Sequence, residues 1–420
     1  MNKKAVRSWM LYDWANSAFA TTMLAAVLPI FYNEVAGANL EGNLPSVYWG
    51  YTHSVAMLCV LIIAPALGAV ADYAGIKKRI LFAATILGSL SSIGFAFVGE
   101  GDYALASVLM ILGTLAFAGG STFYDAMLND LVPYEERDMV SAKGYAAGYI
   151  GGALLLIVNM LMIQKPDWFG LASSLAGTYA AFITVGLWWF IFAMPLMIHV
   201  KDPQRETGAK VTEYARIGFT RIWQTLRSLP RYPELLKYLV AFWFFNDGIS
   251  TIITMAAIYG SEVGIQTKDL ILALIITQLV GIPLTLVFGG IARRLGSKTS
   301  LYISLGVYVV IVMIGYYMST SWQFYLLAIL VGCVQGGSQS IARSIYSKLV
   351  PDSRSAEFFG LLNVSSKFSS IIGPLVFGLV GQMTGSSRYA ILSLLLFFVV
   401  GITMLTKVNL EKGSREAEAG

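Results

Sequence analysis

Charge is scarce in this chain. Only 13% of its 420 residues are Asp, Glu, Lys or Arg, against about a quarter in soluble globular domains. Cysteine and histidine occur twice each. Cys59 and Cys333 lie in separate apolar runs, too few for a zinc site and no sign of a disulfide framework. There is no phosphate-cradling glycine loop, no metal-ligand cluster and no catalytic triad. No cofactor, no metal, no ATP-driven step and no enzymatic chemistry is therefore expected. Short alternating segments of the kind that build a membrane β-barrel are also missing.

What is abundant is apolar sequence: 56% of residues, with a mean hydropathy of +0.68. Runs of roughly 20 residues recur, the length needed to cross about 30 Å of hydrocarbon as helix. Backbone groups in lipid must be satisfied within the span, so the fold class is all-α and integral to the membrane. Spans are expected near 9–33, 49–71, 80–98, 104–126, 142–163 and 175–198. A second set is expected near 237–260, 270–291, 299–318, 323–345, 358–381 and 388–406. Ala36-Gly37-Ala38 resembles a signal cleavage site, but the run before it is too long for a signal peptide and holds Asp13 and Asn16. It reads as a mature helix.

The excess of five positive charges sorts by loop and does not form a nucleic-acid patch. Lys3, Lys4, Arg7, Lys77, Lys78, Arg79, Arg137, Lys143, Arg293, Arg294, Lys298, Lys348, Arg354, Lys407, Lys412 and Arg415 fall on one side. The other side has Lys165, Lys268 and Arg388. Positive charge marks the cytoplasm, so both termini are expected there and the number of spans is even, twelve. Residues 1–200 form one six-helix half and 237–406 the other, with a tail at 407–420. The stretch 201–236 is too charged to span, and a short amphipathic surface helix is expected in it.

The halves repeat. Gly68-x-x-x-Asp72-x-x-Gly75-x-Lys77 follows the second span, and Gly289-x-x-x-Arg293-x-x-Gly296-x-Lys298 follows the eighth. Leu131-Val132-Pro133 closes the fourth span and Leu349-Val350-Pro351 the tenth. Pseudo-symmetric halves with a binding region near the midplane are the plan of many transporters.

Ionisable residues inside spans are costly and mark function by default. Asp13 and Asn16 share a face of the first span; the acid binds a proton, sodium or an amine, or is a membrane-edge group paired with Arg7. Asn246 and Asp247 fall mid-span in the seventh, beside Phe242, Trp243, Phe244 and Phe245, with Gly248 read as loosening the helix. A polar clasp between helices is the competing reading. Gln339 on the tenth span and Lys367 on the eleventh complete the set of substrate or proton ligands; Lys367 either meets a carboxylate or snorkels to the cytoplasm. Asp72 and Arg79 form a candidate gate latch, or only fix topology. Aligning the two Leu-Val-Pro ends pairs Asp125 with Arg343, as a gate or with Asp125 clasped to Lys143. Gly144, Gly148, Gly151 and Gly152 read as helix packing.

Residues 68–79, Gly-Ala-Val-Ala-Asp-Tyr-Ala-Gly-Ile-Lys-Lys-Arg, resemble the cytoplasmic loop motif of the major facilitator superfamily. The fifth span partly resembles that superfamily's antiporter motif, with Tyr149 where a proline is expected. Tyr12-Asp13-Trp14-Ala15-Asn16-Ser17-Ala18-Phe19, Phe245-Asn246-Asp247-Gly248-Ile249-Ser250-Thr251 and Phe358 to Lys367 with Ile372-Gly373-Pro374 look like the UMF family, which includes fungal vacuolar effluxers linked to autophagy. That resemblance implies amino-acid export from a lumen, leucine-like substrates among them. The fungal members are longer; this compact chain looks like a bacterial one.

The expectation is a secondary transporter of small solutes in a bacterial inner membrane, working as a monomer by alternating access. A proton, or else sodium, is the coupling ion, and amino acids or related zwitterions are the cargo. An exporter of peptides, lipids or lipophilic cations is one rival. A receptor or scaffold on a transporter fold is another.

Overall fold

A computed structural model of the protein describes residues 2–41, 44–202, 220, 223 and 227–418, with a few further side chains left out, among them Lys367. Among the described residues there are helices and no strands. In chain order they are α1 (Lys3–Ala36), α2 (Leu44–Ala74), α3 (Lys77–Gly94), α4 (Tyr103–Leu131), α5 (Arg137–Gln164) and α6 (Ser174–His199). Then come α7 (Pro233–Glu262), α8 (Thr267–Leu295), α9 (Ser297–Tyr317), α10 (Ser321–Leu349), α11 (Ser355–Thr384), α12 (Ser387–Thr406) and a short α13 (Leu410–Glu418).

Eleven of these are long and apolar enough to cross a membrane. The remaining long helix, α11, has 30 residues, but its apolar stretch among the described residues is only Ile372–Gly381. That stretch is bounded by residues 371 and 382, whose side chains are not among the described ones, and the helix itself runs unbroken from Ser355 to Thr384. The twelve-helix architecture read from the sequence therefore stands.

Helix ends extend past the apolar runs. Where 9–33 was expected, α1 runs Lys3–Ala36, because the Asn2 side chain accepts from the amides of Lys4 and Ala5 and caps a polar first turn. Past Asp13, α1 widens to i→i+5 hydrogen bonding over Phe19–Val27 and again over Tyr32–Ala36, a form usually confined to single turns. Prolines 65, 195, 283 and 374 sit inside helices, which packed membrane helices tolerate. The turns before α3 and α9 both need a left-handed residue and both use glycine: Gly75 (φ 66°) and Gly296 (φ 89°).

The chain forms two compact units: Met1–Met127 with Ala147–Ile222, and Leu128–Ala146 with Trp223–Gly420. In the first, α6 packs against α1 and α3. In the second, α10 packs against α8 and α9, and α7 against α11 and α12. The second unit thus includes the end of α4 and the start of α5. Most of the 201–236 stretch, with its expected amphipathic helix, lies outside the described residues; a single tight turn, Leu229–Arg231, leads into α7. The tail contains α13, which hydropathy does not reveal because packing holds it. Gly413 lies against Leu349 and Glu234, and the Glu234 carboxylate accepts from the amide of Asn409 and the ammonium of Lys237.

Each unit ties its third helix to its sixth in the same way. Lys78 Nζ donates to the carbonyls of Met197 (3.2 Å) and Val200 (2.8 Å) at the end of α6. Lys298 Nζ donates to Thr406 (3.2 Å) and Val408 (2.6 Å) at the end of α12. The repeat aligns Lys298 with Lys77, so the two glycines are in register and the tying lysine is shifted by one residue. In the first unit Asp202 adds a cap, accepting from the amides of Lys78 and Arg79, as an acid at a helix N-terminus should.

Candidate functional site

In the second unit the central acid is Asp247, fourteen residues into α7 and almost wholly buried. Both its carboxylate oxygens lie within hydrogen-bond reach of one donor, the backbone N–H of Gly373 on α11, at 2.8 and 2.9 Å. Only glycine permits this. A Cβ on residue 373 would overlap Thr251 Oγ1 and stand 2.6 Å from Asp247 Oδ1. Thr251, one turn along α7, donates its hydroxyl to the Asp247 carbonyl at 2.7 Å. The following Pro374 has no N–H of its own, so the ladder of α11 is already interrupted where Asp247 docks.

The neighbouring residues take other parts. Asn246 is half-buried on α7. Gly248 does not loosen the helix, which continues through it; it makes room for Phe398 of α12, 2.9 Å from where a Cβ would be. Phe242 and Phe245 pack around Tyr238, Phe244 faces Phe397, and Trp243 is exposed. These rings are packing, not a lining for the acid. Gln339 is half-buried on α10. Lys367 lies on α11, two turns before Gly373, and its side chain is outside the described residues.

In the first unit Asp13 is ten residues inside α1 and half-buried. It accepts a hydrogen bond from the Tyr124 hydroxyl of α4 at 3.1 Å. Tyr124 in turn stacks on Trp9 (ring centroids 4.4 Å apart) and Tyr12 (5.2 Å), and its carbonyl accepts from Trp9 Nε1. Asn16 is buried on the same helix. A Cβ on Gly148 of α5 would lie 2.6 Å from Ser17 Oγ and 3.3 Å from Asp13 Oδ1. Gly151 and Gly152 receive Trp14 and Thr21, so the glycine ladder of α5 is the seat of α1.

A construction therefore recurs. Each unit sets an acid and a hydroxyl four residues apart, Asp13 with Ser17 and Asp247 with Thr251, against a glycine of the fifth helix of its half. The sequence repeats did not expose this, because the two constellations stand at different depths along their helices.

The loop motif is buried and paired. Asp72 Oδ1 is 3.1 Å from Lys77 Nζ, both side chains nearly inaccessible. The Arg79 side chain is exposed, while its amide caps onto Asp202. Asp125 is half-buried on α4 in the first unit. Arg343, in the second, donates to the hydroxyl (2.8 Å) and carbonyl (2.9 Å) of Ser141 and stacks on Tyr145.

That last contact belongs to a zipper the sequence reading missed. Arg137 donates to the Ser347 carbonyl (2.6 Å) and pairs with Asp352 (3.0 Å), which also accepts from Asn129. Asp138 pairs with Lys348 (2.6 Å), and both bond the Ser297 hydroxyl. Ser141 donates to the Ser340 carbonyl. Residues 137, 138 and 141 thus meet 352, 348 and 343, one acid and one base on the first side against one acid and two bases on the second. The signal is present as opposite charges close in sequence, Arg137-Asp138 and Lys348 with Asp352, but sorting charge by loop reads Arg137 and Lys348 only toward topology. Among the described residues no group of three or more His, Cys, Asp or Glu is placed to hold a metal ion.

The chain as a whole has relatives. A family model described as "Vacuole effluxer Atg22 like" matches residues 1–418. The MFS-type transporter YxiO of Bacillus subtilis (strain 168) is 36% identical over 408 residues, covering 96% of this chain and 95% of that one. Autophagy-related protein 22 of Kluyveromyces lactis is 23% identical, covering 99% and 95%. Among solved structures, the proton:xylose symporter XylE superposes with a TM-score of 0.73 at 16% identity, covering 99% and 98%. FucP in its outward conformation gives 0.75 at 13%, covering 97% and 99%. These two likenesses speak for the fold alone. The chain is a multi-pass membrane protein that belongs to the Atg22-like effluxer family of the major facilitator superfamily.

Proposed function

We propose that this transporter moves amino acids or related small zwitterions by alternating access, coupled to a proton. The observation that carries the reading is Asp247, a carboxylate buried in the middle of α7 and held by a backbone amide of α11. A buried acid in a membrane span is costly unless it works. Asp247, seconded by Asp13, takes the proton or the substrate ammonium; Asn246, Asn16 and Gln339 offer neutral hydrogen bonds; Lys367 meets the substrate carboxylate. Asp72, Arg79, Asp125 and Arg343 serve the cytoplasmic gate. Both termini face the cytoplasm of a bacterial plasma membrane, consistent with the basic residues of alternate loops.

The test is flux. In proteoliposomes with an imposed pH gradient, Asp247→Asn is expected to abolish gradient-driven amino-acid uptake while leaving the protein folded. Undiminished uptake in that variant would sink the assignment.

A second reading has one observation in its favour. The rings around Asp13, with Trp9, Tyr12 and Tyr124 on one side and Trp14 stacked on Trp188 at 5.6 Å, suit an exporter of lipophilic cations, peptides or lipids. Thermal stabilisation by a panel of amino acids, peptides and amphiphiles separates the two. A receptor or scaffold would carry no flux under any gradient.

A further inference from the structure

We infer that the backbone N–H of Gly373 determines which cation Asp247 accepts, reserving the carboxylate for a proton and excluding sodium. The inference rests on the reading of Asp247 as the coupling residue and adds the element of selectivity.

The argument is geometric. One N–H stands 2.8 and 2.9 Å from the two carboxylate oxygens, so it occupies the mouth between them. That mouth is the seat a metal ion takes when a carboxylate binds it through both oxygens. An amide hydrogen carries partial positive charge and opposes a second cation at the same place. A proton has no such conflict. A carboxylate offers about four lone-pair positions, and a proton bonds to an outer one without moving the amide. The neighbouring Thr251 hydroxyl gives its hydrogen to the Asp247 carbonyl, so the Gly373 N–H is the donor that sits between the two carboxylate oxygens.

No other described charge intrudes. On α11, Glu357 pairs with Arg354. Arg388 of α12 donates to the Tyr316 carbonyl. Arg343 and Lys348 of α10 are bound into the α5 zipper. On α8, Asp269 accepts from Ser321 and Tyr325, and Arg293 and Arg294 are exposed. On α13, Lys412 and Glu416 gather at Glu234 together with Lys237, and Glu411 and Arg415 are solvent-facing. Lys367 remains, its side chain outside the described residues. Among the described groups the Gly373 amide is the one bonded to both carboxylate oxygens, and it reaches them because residue 373 has no Cβ.

The first test needs no substrate. A cation that binds the folded state raises its melting temperature by mass action. Purified protein is melted in sodium chloride and in potassium chloride at matched ionic strength. The wild type is expected to melt at the same temperature in both. Gly373→Ala pushes the carboxylate off the amide, and Gly373→Ala/Thr251→Gly does so while removing the overlapping side chain at 251, should the single variant not fold. Each is expected to gain stabilisation by sodium. Flux then reads the same property: a proton gradient drives leucine uptake in the wild type and a sodium gradient does not. In the variant the preference narrows by roughly tenfold, the worth of one charge-assisted hydrogen bond. Sodium stabilisation or sodium-driven uptake in the wild type overturns the inference, as does a variant with undiminished preference. Sodium-driven uptake that Asp247→Asn still abolishes would spare Asp247 as the coupling residue and remove only the selectivity. Uptake indifferent to Asp247→Asn would remove the coupling reading itself.

Discussion

Among single residues, Asp72 makes the argument about buried charge most sharply. It and Lys77 are both out of solvent, 3.1 Å apart. Removing one partner of such a pair strands the other, at roughly 3–5 kcal/mol, whereas removing both costs far less. Asp72→Asn is therefore expected to lower the thermal unfolding temperature in detergent markedly, and Asp72→Asn with Lys77→Met to recover most of it. Equal losses in the two proteins would show that the ion pair carries no such penalty. The sequence singled out Asp72 as a candidate latch residue because its spacing to Gly68, Gly75 and Lys77 is specific, and the structure places it in a buried pair with Lys77. It also disclosed Asp247, because an acid surrounded by four aromatic residues and a run of apolar ones has few innocent explanations. The partner of Asp247 was hidden. A backbone amide leaves no mark on a sequence, and Gly373 reads only as half of a Gly-Pro pair until the helix crossing brings it to the carboxylate.

At the scale of elements, the start of α5 runs against the end of α10 as a zipper of alternating sign. Arg137 meets Asp352 and Asp138 meets Lys348. The order of charges is opposite on the two strands of the zipper, so a swap is a clean probe. Asp138→Lys is expected to open the contact, measured as increased thiol labelling of a cysteine placed at the buried Ser344 of α10. Adding Lys348→Asp is expected to restore protection. If the double variant labels as readily as the single one, the pair does not hold this contact. Helix existence was legible throughout, since twelve runs of the right length lie between basic loops. Helix ends were not. Polar first turns such as that of α1 escape a hydropathy argument because caps and neighbours sustain them, not lipid. The helix α13 escaped for the same reason.

At the scale of the whole molecule, the order of helices and the basic loops were enough to read a duplicated transporter, and the comparisons with known transporters agree. What a duplication cannot tell is where the copies have diverged. Arg293 stands where Asp72 stands in the first copy, the lysine tying α9 to α12 is one residue out of step with Lys78, and the acid of α7 lies deeper than that of α1. Each drift moves a charge while leaving the helix in place, which is why fold is easier to read than site.

The ties from Lys78 to the end of α6 and from Lys298 to the end of α12 have one more consequence. They close each half upon itself, and neither tie involves the peptide between Asp202 and Thr220. A gene cut there would yield two fragments, each keeping its own fastening. The first fragment would still carry Arg137, Asp138 and Ser141, whose partners Asp352, Lys348 and Arg343 lie in the second. Co-expressed from separate promoters with an affinity tag on one fragment only, the two pieces are expected to purify together. Charge reversal at Asp138 should weaken that recovery, and recovery of the tagged piece alone from the unaltered pair would mean that covalent continuity is what joins them.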